Sequence, residues 1–163
     1  MPLARLSPLI PFTGLAVLAS AADQMSKLWA LSALEEGVAL SLAPFLALTL
    51  GFNTGVSFGV FSETGQNAQM IVVAMTASVT ALLIWYAVRA PETERLGLSL
   101  IVGGAIGNLI DRFARGKVTD FIDVHVNGWH WPAFNLADTL ITLGIVCILV
   151  VNFKPARLRA AGD

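Results

Sequence analysis

The chain has 163 residues, of which 56% are hydrophobic and 13% are charged, and its formal net charge is −1. A soluble domain averages about 25% charged residues, so this composition excludes an ordinary soluble protein and an intrinsically disordered chain. The lack of basic excess argues against a nucleic-acid binder, and the single cysteine excludes an internal disulfide and a multi-cysteine zinc site. An integral membrane protein remains.

Four apolar stretches are long enough to cross a bilayer, which takes about 20 helical residues each. They lie at about 9–28, 68–88, 96–113 and 134–153. The predicted fold class is an all-α integral membrane protein, one domain over residues 1–163, with outer segments 29–67 and 114–133. Arg5, the first apolar run and the small residues at 19–22 also resemble a cleavable secretory signal. We favour an uncleaved first span, because three more spans follow it.

Lysine and arginine predict how these spans are oriented. The basic residues assigned to the inner side are Arg5, Arg89, Arg95, Lys154, Arg157 and Arg159. The segment 29–67 contains no lysine or arginine, so the positive-inside rule places both termini in the cytoplasm and both outer segments outside. Arg115 and Lys117 depart from this bias, which indicates a local role for charge in the second outer segment.

The first outer segment predicts a small sheet lying on the membrane surface. Its alternating apolar residues are Val38, Leu40 and Leu42, then Leu46, Leu48 and Leu50. Such a period of two is typical of strands, and Pro44 separates the two runs. We expect Phe52, Phe58 and Phe61 to dip toward lipid.

The second outer segment predicts a hairpin. Asn127-Gly128 lies between alternating residues, and this pair favours a tight turn because both central residues need a positive φ. Trp129 and Trp131 suit the headgroup level. Folding the chain back on itself can return Asp138 close to Asp120.

Ionisable residues at membrane depth are candidates for function, because each costs about 2.5–3.5 kcal/mol on insertion scales. These residues are Asp23, Asp111, Arg112 and Asp138. Asn108 and Arg112 are four apart and share a helix face, and Asn135 and Asp138 are three apart and also share one. The alternative to a functional role is a structural one, in which these residues form ion pairs near the headgroups. Glycines at 103, 104 and 107 predict a close helix approach.

Asp120 and Asp138 are the best-placed pair of acids for chemistry. Two carboxyl groups about 3 Å apart cannot both ionise easily, so they share one proton. One member can then take a proton from water while the other polarises a carbonyl, which predicts peptide hydrolysis. Asp123 competes with Asp120, but residues three apart on a strand face opposite sides, so we expect it to be structural. Asp111 is expected to pair with Arg115.

Other combinations are less promising. Ser26 and Lys27 are adjacent, and neighbouring helix residues diverge by about 100°, so they make a poor serine–lysine dyad. His125 and His130 show no HExxH pattern, and no zinc site is expected. Cys147 is interpreted as a small core residue.

Five motif blocks in this order resemble lipoprotein signal peptidases, also called signal peptidase II, a family of bacterial membrane aspartic peptidases. The matching residues are Asp23-Gln24 with Lys27; Asn53-Thr54-Gly55 with Phe58-Gly59; Gly103-Gly104-Ala105 with Gly107-Asn108 and Asp111-Arg112; Gly116 with Val118, Asp120-Phe121 and Asp123; and Phe134-Asn135 with Ala137-Asp138. Each block alone is weak evidence for this family, whereas all five blocks in this order and with this topology are specific for it.

The resemblance implies that Asp120 and Asp138 are the catalytic dyad. It implies that the residues lining or bracing the site are Asp23, Asn53, Asn108, Arg112 and Asn135. It further implies prolipoprotein substrates that carry a diacylglyceryl cysteine, cleavage just before that cysteine, and inhibition by globomycin-type compounds. The implied location is the bacterial inner membrane with the site toward the extracytoplasmic face. Membrane lipid is the other expected partner, and no metal or cofactor is expected.

Two other classes of function are alternatives to a peptidase. A small transporter could use Asp23, Arg112 and Asp138 as an ion or proton relay, but the chain lacks a second pseudo-symmetric half with broken helices. A non-catalytic membrane adaptor would leave the buried acids unexplained.

Overall fold

A computed structural model describes residues 9–55 and 65–153, which form four helices and four strands. In chain order the elements are α1 (Leu9–Ala33), β1 (Ala39–Ala43), β2 (Leu46–Asn53), α2 (Gly65–Ala87), α3 (Glu92–Arg115), β3 (Val118–Val126), β4 (Trp129–His130) and α4 (Leu136–Asn152). Predicted features that lie outside the described residues are the lipid contacts of Phe58 and Phe61, the Phe58-Gly59 motif, and the charges of Arg5, Lys154, Arg157 and Arg159.

Each predicted span is helical, although the helix ends differ from the apolar limits. α1 continues to Ala33 through mostly apolar residues that follow Lys27, and α3 begins at Glu92 because a helix can continue in polar sequence beyond the part that suits lipid. Among the residues that the structure describes, two helices, Gln69–Ala87 and Glu92–Arg115, are long and apolar enough by length and composition to cross a membrane. α4 has 17 residues and is shorter, at about 25 Å from a rise of 1.5 Å per residue.

The described chain buries polar side chains and exposes apolar ones, the reverse of a water-soluble protein. Fully buried polar residues include Asp23, Lys27, Asp111 and Asn135. Large apolar side chains along α2 are mostly exposed, among them Met70, Met75, Val79 and Leu82. Such a large apolar surface is stable against lipid, whereas in water it would drive association.

α3 lies at the centre and packs against α1, α2 and α4. Two of its glycines make this possible, as the sequence predicted. A Cβ at position 104 would lie 2.5 Å from the Ala137 carbonyl oxygen on α4, and a Cβ at position 107 would overlap the Asp23 carboxylate on α1. The absence of side chains at these positions therefore brings the acidic residues of α1 and the start of α4 against α3.

The four strands form one antiparallel sheet in the order β1-β2-β3-β4. The two strands predicted around Pro44 are confirmed as β1 and β2. The predicted Asn127-Gly128 turn is confirmed too, with φ of 51° and 81°. Phe134 pairs with Ile122 of β3, so the chain returns along β3 before α4 begins.

Buried apolar contacts fix the sheet to the end of α1. Phe121 packs with Ala30 and Leu34, and Trp29 meets the Phe121 ring edge-on at 6.5 Å between centroids. Because Phe121 points to α1, its neighbour Asp120 points to the other face of the strand. The exposed rings of Trp129 and Trp131 contact each other edge-on at the hairpin tip.

Candidate active site

Asp138 is held by the first turn of α4. Asn135 is the N-cap, and its side-chain oxygen accepts a hydrogen bond from the Asp138 backbone N–H at 3.1 Å. In return the Asp138 Oδ2 accepts from the Asn135 backbone N–H at 3.3 Å. This reciprocal cap satisfies two backbone donors that a helix start leaves unpaired, and it explains the three-residue spacing.

The Asn135 side chain also connects the two candidate acids. Its Nδ2 donates to Asp120 Oδ1 at 2.6 Å, while its Oδ1 accepts from the backbone of Asp138. Asn108 on α3 donates from Nδ2 to Asp138 Oδ1 at 2.9 Å and accepts from Asn135 Nδ2 at 3.2 Å. The structure therefore brings Asp120 and Asp138 into one hydrogen-bonded cluster, as the hairpin predicted.

The environment of Asp120 favours its neutral form. The side chain is on β3 and the residue is only 4% exposed. Burial raises the pKa of Asp120 from 3.8 to about 6, and the negative charge of Asp138 acts in the same direction. Hydrogen bonds from Asn135 and Asn53 and the positive charge of Lys27 oppose that rise. The net effect is that Asp120 keeps its proton to a higher pH than an ordinary aspartate does.

Arg112 and Asn53 both border the cluster. Arg112 donates from Nη1 to the Asn108 carbonyl oxygen at 3.4 Å, and its charge interacts with Asp138 and Asp120. Its Nε is buried and has no hydrogen-bond partner within the described part of the chain. Asn53, at the end of β2, accepts from the Gly55 backbone N–H at 2.8 Å. Asn53 is also a hydrogen-bond partner of Asp120, so both side chains lie beside the candidate acids.

Lys27 is a member of this cluster that the sequence reasoning left out of the site. Its side chain is completely buried, and Nζ lies 2.8 Å from Asp23 Oδ2 and 3.5 Å from Asp111 Oδ2. It also donates to Asn108 Oδ1 at 2.8 Å. The available signal was a lysine inside an apolar span, four residues after an aspartate and therefore on the same helix face.

Asp23 and Asp111 hold the backbone next to the two acids. Asp23 Oδ1 accepts from the backbone N–H of Ala137 at 2.8 Å, and Asp111 Oδ2 accepts from that of Thr119 at 2.9 Å. Arg115 also pairs with Asp111 Oδ1 at 2.6 Å, which confirms the predicted i,i+4 pair. Each of these carboxylates thus holds the backbone N–H group of the residue directly before one of the candidate acids.

Two cavities meet the site at Arg112. One, of about 410 Å³, extends from Asn108 and Arg112 between α2, α3 and α4, and apolar side chains such as Val79 and Leu83 line it. The other, of about 660 Å³, lies between α2 and the end of α3 and is lined by Met70 and Arg112, among others. An apolar substrate segment could therefore lie beside the acids.

Asp123 does not join this cluster. Its carboxylate contacts His130 Nδ1 at 2.9 Å instead, which agrees with the expectation that it faces away from Asp120. Cys147 is a half-buried free thiol on α4.

Residues 15–154 match the sequence family described as Signal peptidase (SPase) II. A lipoprotein signal peptidase of Burkholderia mallei (strain SAVP1) is 39% identical, and one of Paraburkholderia phymatum is 38% identical; each comparison covers 91% of both chains. Two solved structures described as a bacterial membrane enzyme superimpose with TM-scores of 0.77 and 0.72, each at 27% identity. The first covers 90% of this chain and 94% of that chain, and the second covers 93% and 90%. The matched region contains every residue of the cluster described above.

Proposed function

The chain belongs to the signal peptidase II family, and on that premise we propose that Asp120 and Asp138 are the catalytic dyad of an aspartic endopeptidase. Family membership makes the chain a membrane protease that removes signal peptides from prolipoproteins. The ion transporter considered as an alternative is not favoured, because the curated relatives are lipoprotein signal peptidases. The observation that supports the dyad is the Asn135 side chain, which hydrogen-bonds to Asp120 and to the backbone of Asp138.

In the proposed reaction the two acids share one proton. Asp120, whose pKa is raised to about 6, begins protonated and transfers this proton to the scissile carbonyl oxygen as water attacks, which leaves Asp120 ionised in the tetrahedral intermediate. Asp138 takes a proton from water as that water attacks the carbonyl carbon. Asp138 then passes this proton to the leaving amide nitrogen, and Asp120 regains its own proton from the tetrahedral intermediate. The carbon–nitrogen bond breaks and both acids return to their starting states.

The surrounding residues hold the dyad and the substrate. Asn108 and Asn135 orient the two carboxyl groups, and Asp23 supports the start of α4. We assign Arg112 and Asn53 to substrate binding. Arg112 has an unpaired buried Nε beside both cavities, which suits a backbone carbonyl of the bound peptide.

The substrate proposed is a prolipoprotein whose cysteine carries a diacylglyceryl group, cleaved just before that cysteine. The apolar cavities that reach Arg112 support this, since acyl chains and an apolar signal peptide need such surfaces beside the scissile bond. Globomycin-type inhibitors are expected to compete for the same space.

We further propose one membrane-embedded peptidase domain with four spans, in the bacterial inner membrane. Both termini would be cytoplasmic, and the sheet and the dyad would face outward. The absence of lysine and arginine from 29–67 supports this orientation. Asp120 lies on β3 and Asp138 in the first turn of α4, so both would lie near the outer boundary.

The dyad is tested with purified, detergent-solubilised protein and a precursor that carries a diacylglyceryl-modified cysteine. Asp120→Asn and Asp138→Asn should each lower cleavage by at least about 100-fold, the lower end for loss of a general acid or base. Glu35→Gln, which removes an exposed carboxylate between α1 and β1, is the control and should cleave normally. Full turnover by either dyad variant would refute the proposal. Cleavage of the unlipidated precursor is measured separately, because it tests whether the substrate must carry the diacylglyceryl group.

A further inference from the structure

The β3–β4 hairpin carries a second cluster of chemically active side chains, on the face of β3 away from Asp120. Asp123 and His125 are two apart on β3, so both point to the same side of the strand. His130 is the cross-strand partner of His125 on β4. The tight turn at Asn127-Gly128 therefore brings three potential ligands to one side of the hairpin.

The distances between these groups are those of a small coordination site. Asp123 Oδ2 lies 2.9 Å from His130 Nδ1 and 3.7 Å from His125 Nδ1. One ligand atom from each residue can be chosen so that all three lie within 4.8 Å of one another. In a tetrahedral zinc site with bonds of about 2.1 Å, ligand atoms are about 3.4 Å apart. Only small side-chain adjustments would be needed to bring the three ligand atoms to this spacing.

One ring nitrogen in the cluster makes no hydrogen bond to the described residues. His125 Nδ1 is buried and has no hydrogen-bond partner among the described residues, and its closest approach to Asp123 exceeds hydrogen-bonding distance. The two imidazole rings stack with centroids 4.9 Å apart. A lone pair that is withdrawn from water and faces a carboxylate and a second imidazole is suited to a cation.

We propose that Asp123, His125 and His130 bind one Zn²⁺ ion. Two imidazole nitrogens and one carboxylate oxygen are ordinary zinc ligands, and three protein ligands leave a fourth position for water. His130 would carry its ring proton on Nε2, so that Nδ1 offers a lone pair to the metal. The ion would link β3 to β4 across the hairpin without contacting the dyad on the opposite face.

The test measures metal binding and does not depend on peptidase activity or on the proposed dyad. Both histidines of the chain belong to the cluster, so any affinity tag is removed before the measurement. Calorimetry with Zn²⁺ should show one site per chain in the detergent-solubilised protein. Co²⁺ in the same site should give weak visible absorption bands without the intense charge-transfer band of a thiolate, because Cys147 is not a ligand.

Variants identify the ligands. His125→Ala, His130→Ala and Asp123→Asn should each weaken Zn²⁺ binding by at least about tenfold. Trp129→Phe, on the same hairpin but not a ligand, should bind like the unaltered chain. A second measurement uses the unaltered chain, so that it remains valid if a variant fails to fold. Bound Zn²⁺ should protect both histidines from modification by diethyl pyrocarbonate. The proposal is overturned if the unaltered chain binds no Zn²⁺, or if the double variant His125→Ala/His130→Ala binds it equally well.

Discussion

The Asp111 carboxylate at the end of α3 accepts a hydrogen bond from the backbone N–H of Thr119 at 2.9 Å, directly before Asp120. Asp23 on α1 does the same for Ala137, directly before Asp138, at 2.8 Å. Two helix carboxylates thus support the two residues that precede the proposed dyad.

Lys27 makes this double support possible. Two carboxylates buried together would repel each other, and each would carry a large desolvation cost. The ammonium group lies between them, within 2.8 Å of Asp23 and 3.5 Å of Asp111. The positions of the proposed dyad therefore depend on an ion cluster that does not itself react.

Lys27→Met should be among the most damaging single changes. It leaves Asp23 and Asp111 buried without their shared counterion, and removal of one partner of a buried pair costs about 3–5 kcal/mol. The midpoint of thermal unfolding in detergent measures the loss. Glu35→Gln, which removes an exposed carboxylate, is the control and should change stability by less than about 0.5 kcal/mol. Equal midpoints for the two variants would show that Lys27 has no supporting role.

Gly107→Ala should displace the Asp23 carboxylate, because the added Cβ would overlap it. Asp23 cannot move freely, since it is bound to Lys27 and to the Ala137 backbone. We expect a loss of about 1–3 kcal/mol, the usual cost of overpacking, together with slower cleavage. Gly14→Ala, also in a helix, has open space at its Cβ and should be neutral or stabilising. The prediction is wrong if both alanine variants behave like the unaltered chain.

The pH dependence of cleavage should report on Asp120. If Asp120 must be protonated in the free enzyme, kcat/KM should fall as pH rises through about 6, approaching tenfold per pH unit above it. Initial rates at low substrate concentration across pH 4.5–8 measure this, with buffers overlapped to separate their effects. A kcat/KM that stays constant through pH 6 would contradict a proton donor with a pKa near 6.

Folding stability should change with pH in the same range. The folded pKa of Asp120, about 6, is above its unfolded value of 3.8, so folding favours the protonated form. The stability that this shift contributes is fully present below about pH 3.8 and is lost as pH rises through about 6. The unfolding midpoints of the unaltered chain and of Asp120→Asn are measured from pH 4 to 7. The difference between the two midpoints should be smallest near pH 4, where Asp120 is protonated, and should change as pH rises to 7. Parallel curves would contradict the raised pKa.

Much of the fold could be predicted from local sequence. The long apolar runs predicted the four helices, the alternation around Pro44 predicted β1 and β2, and Asn127-Gly128 predicted the hairpin turn. Glycines 104 and 107 predicted the close packing of α3. The helices, the strands and the turn depend on neighbouring residues only, so composition and periodicity were sufficient to predict them, whereas the glycines predicted a close approach without indicating which helix would make it.

The site was predicted in part. The sequence by itself determined which acids are candidates, because a charge inside an apolar run is costly wherever the run folds. Only the tertiary structure placed Lys27 between Asp23 and Asp111, and only it joined Asp123 to the two histidines. Asp23 and Asp111 lie on different helices, so no spacing along the chain encodes their distance. That distance is set by how closely α1 packs on a glycine of α3, which is a property of the whole packed structure.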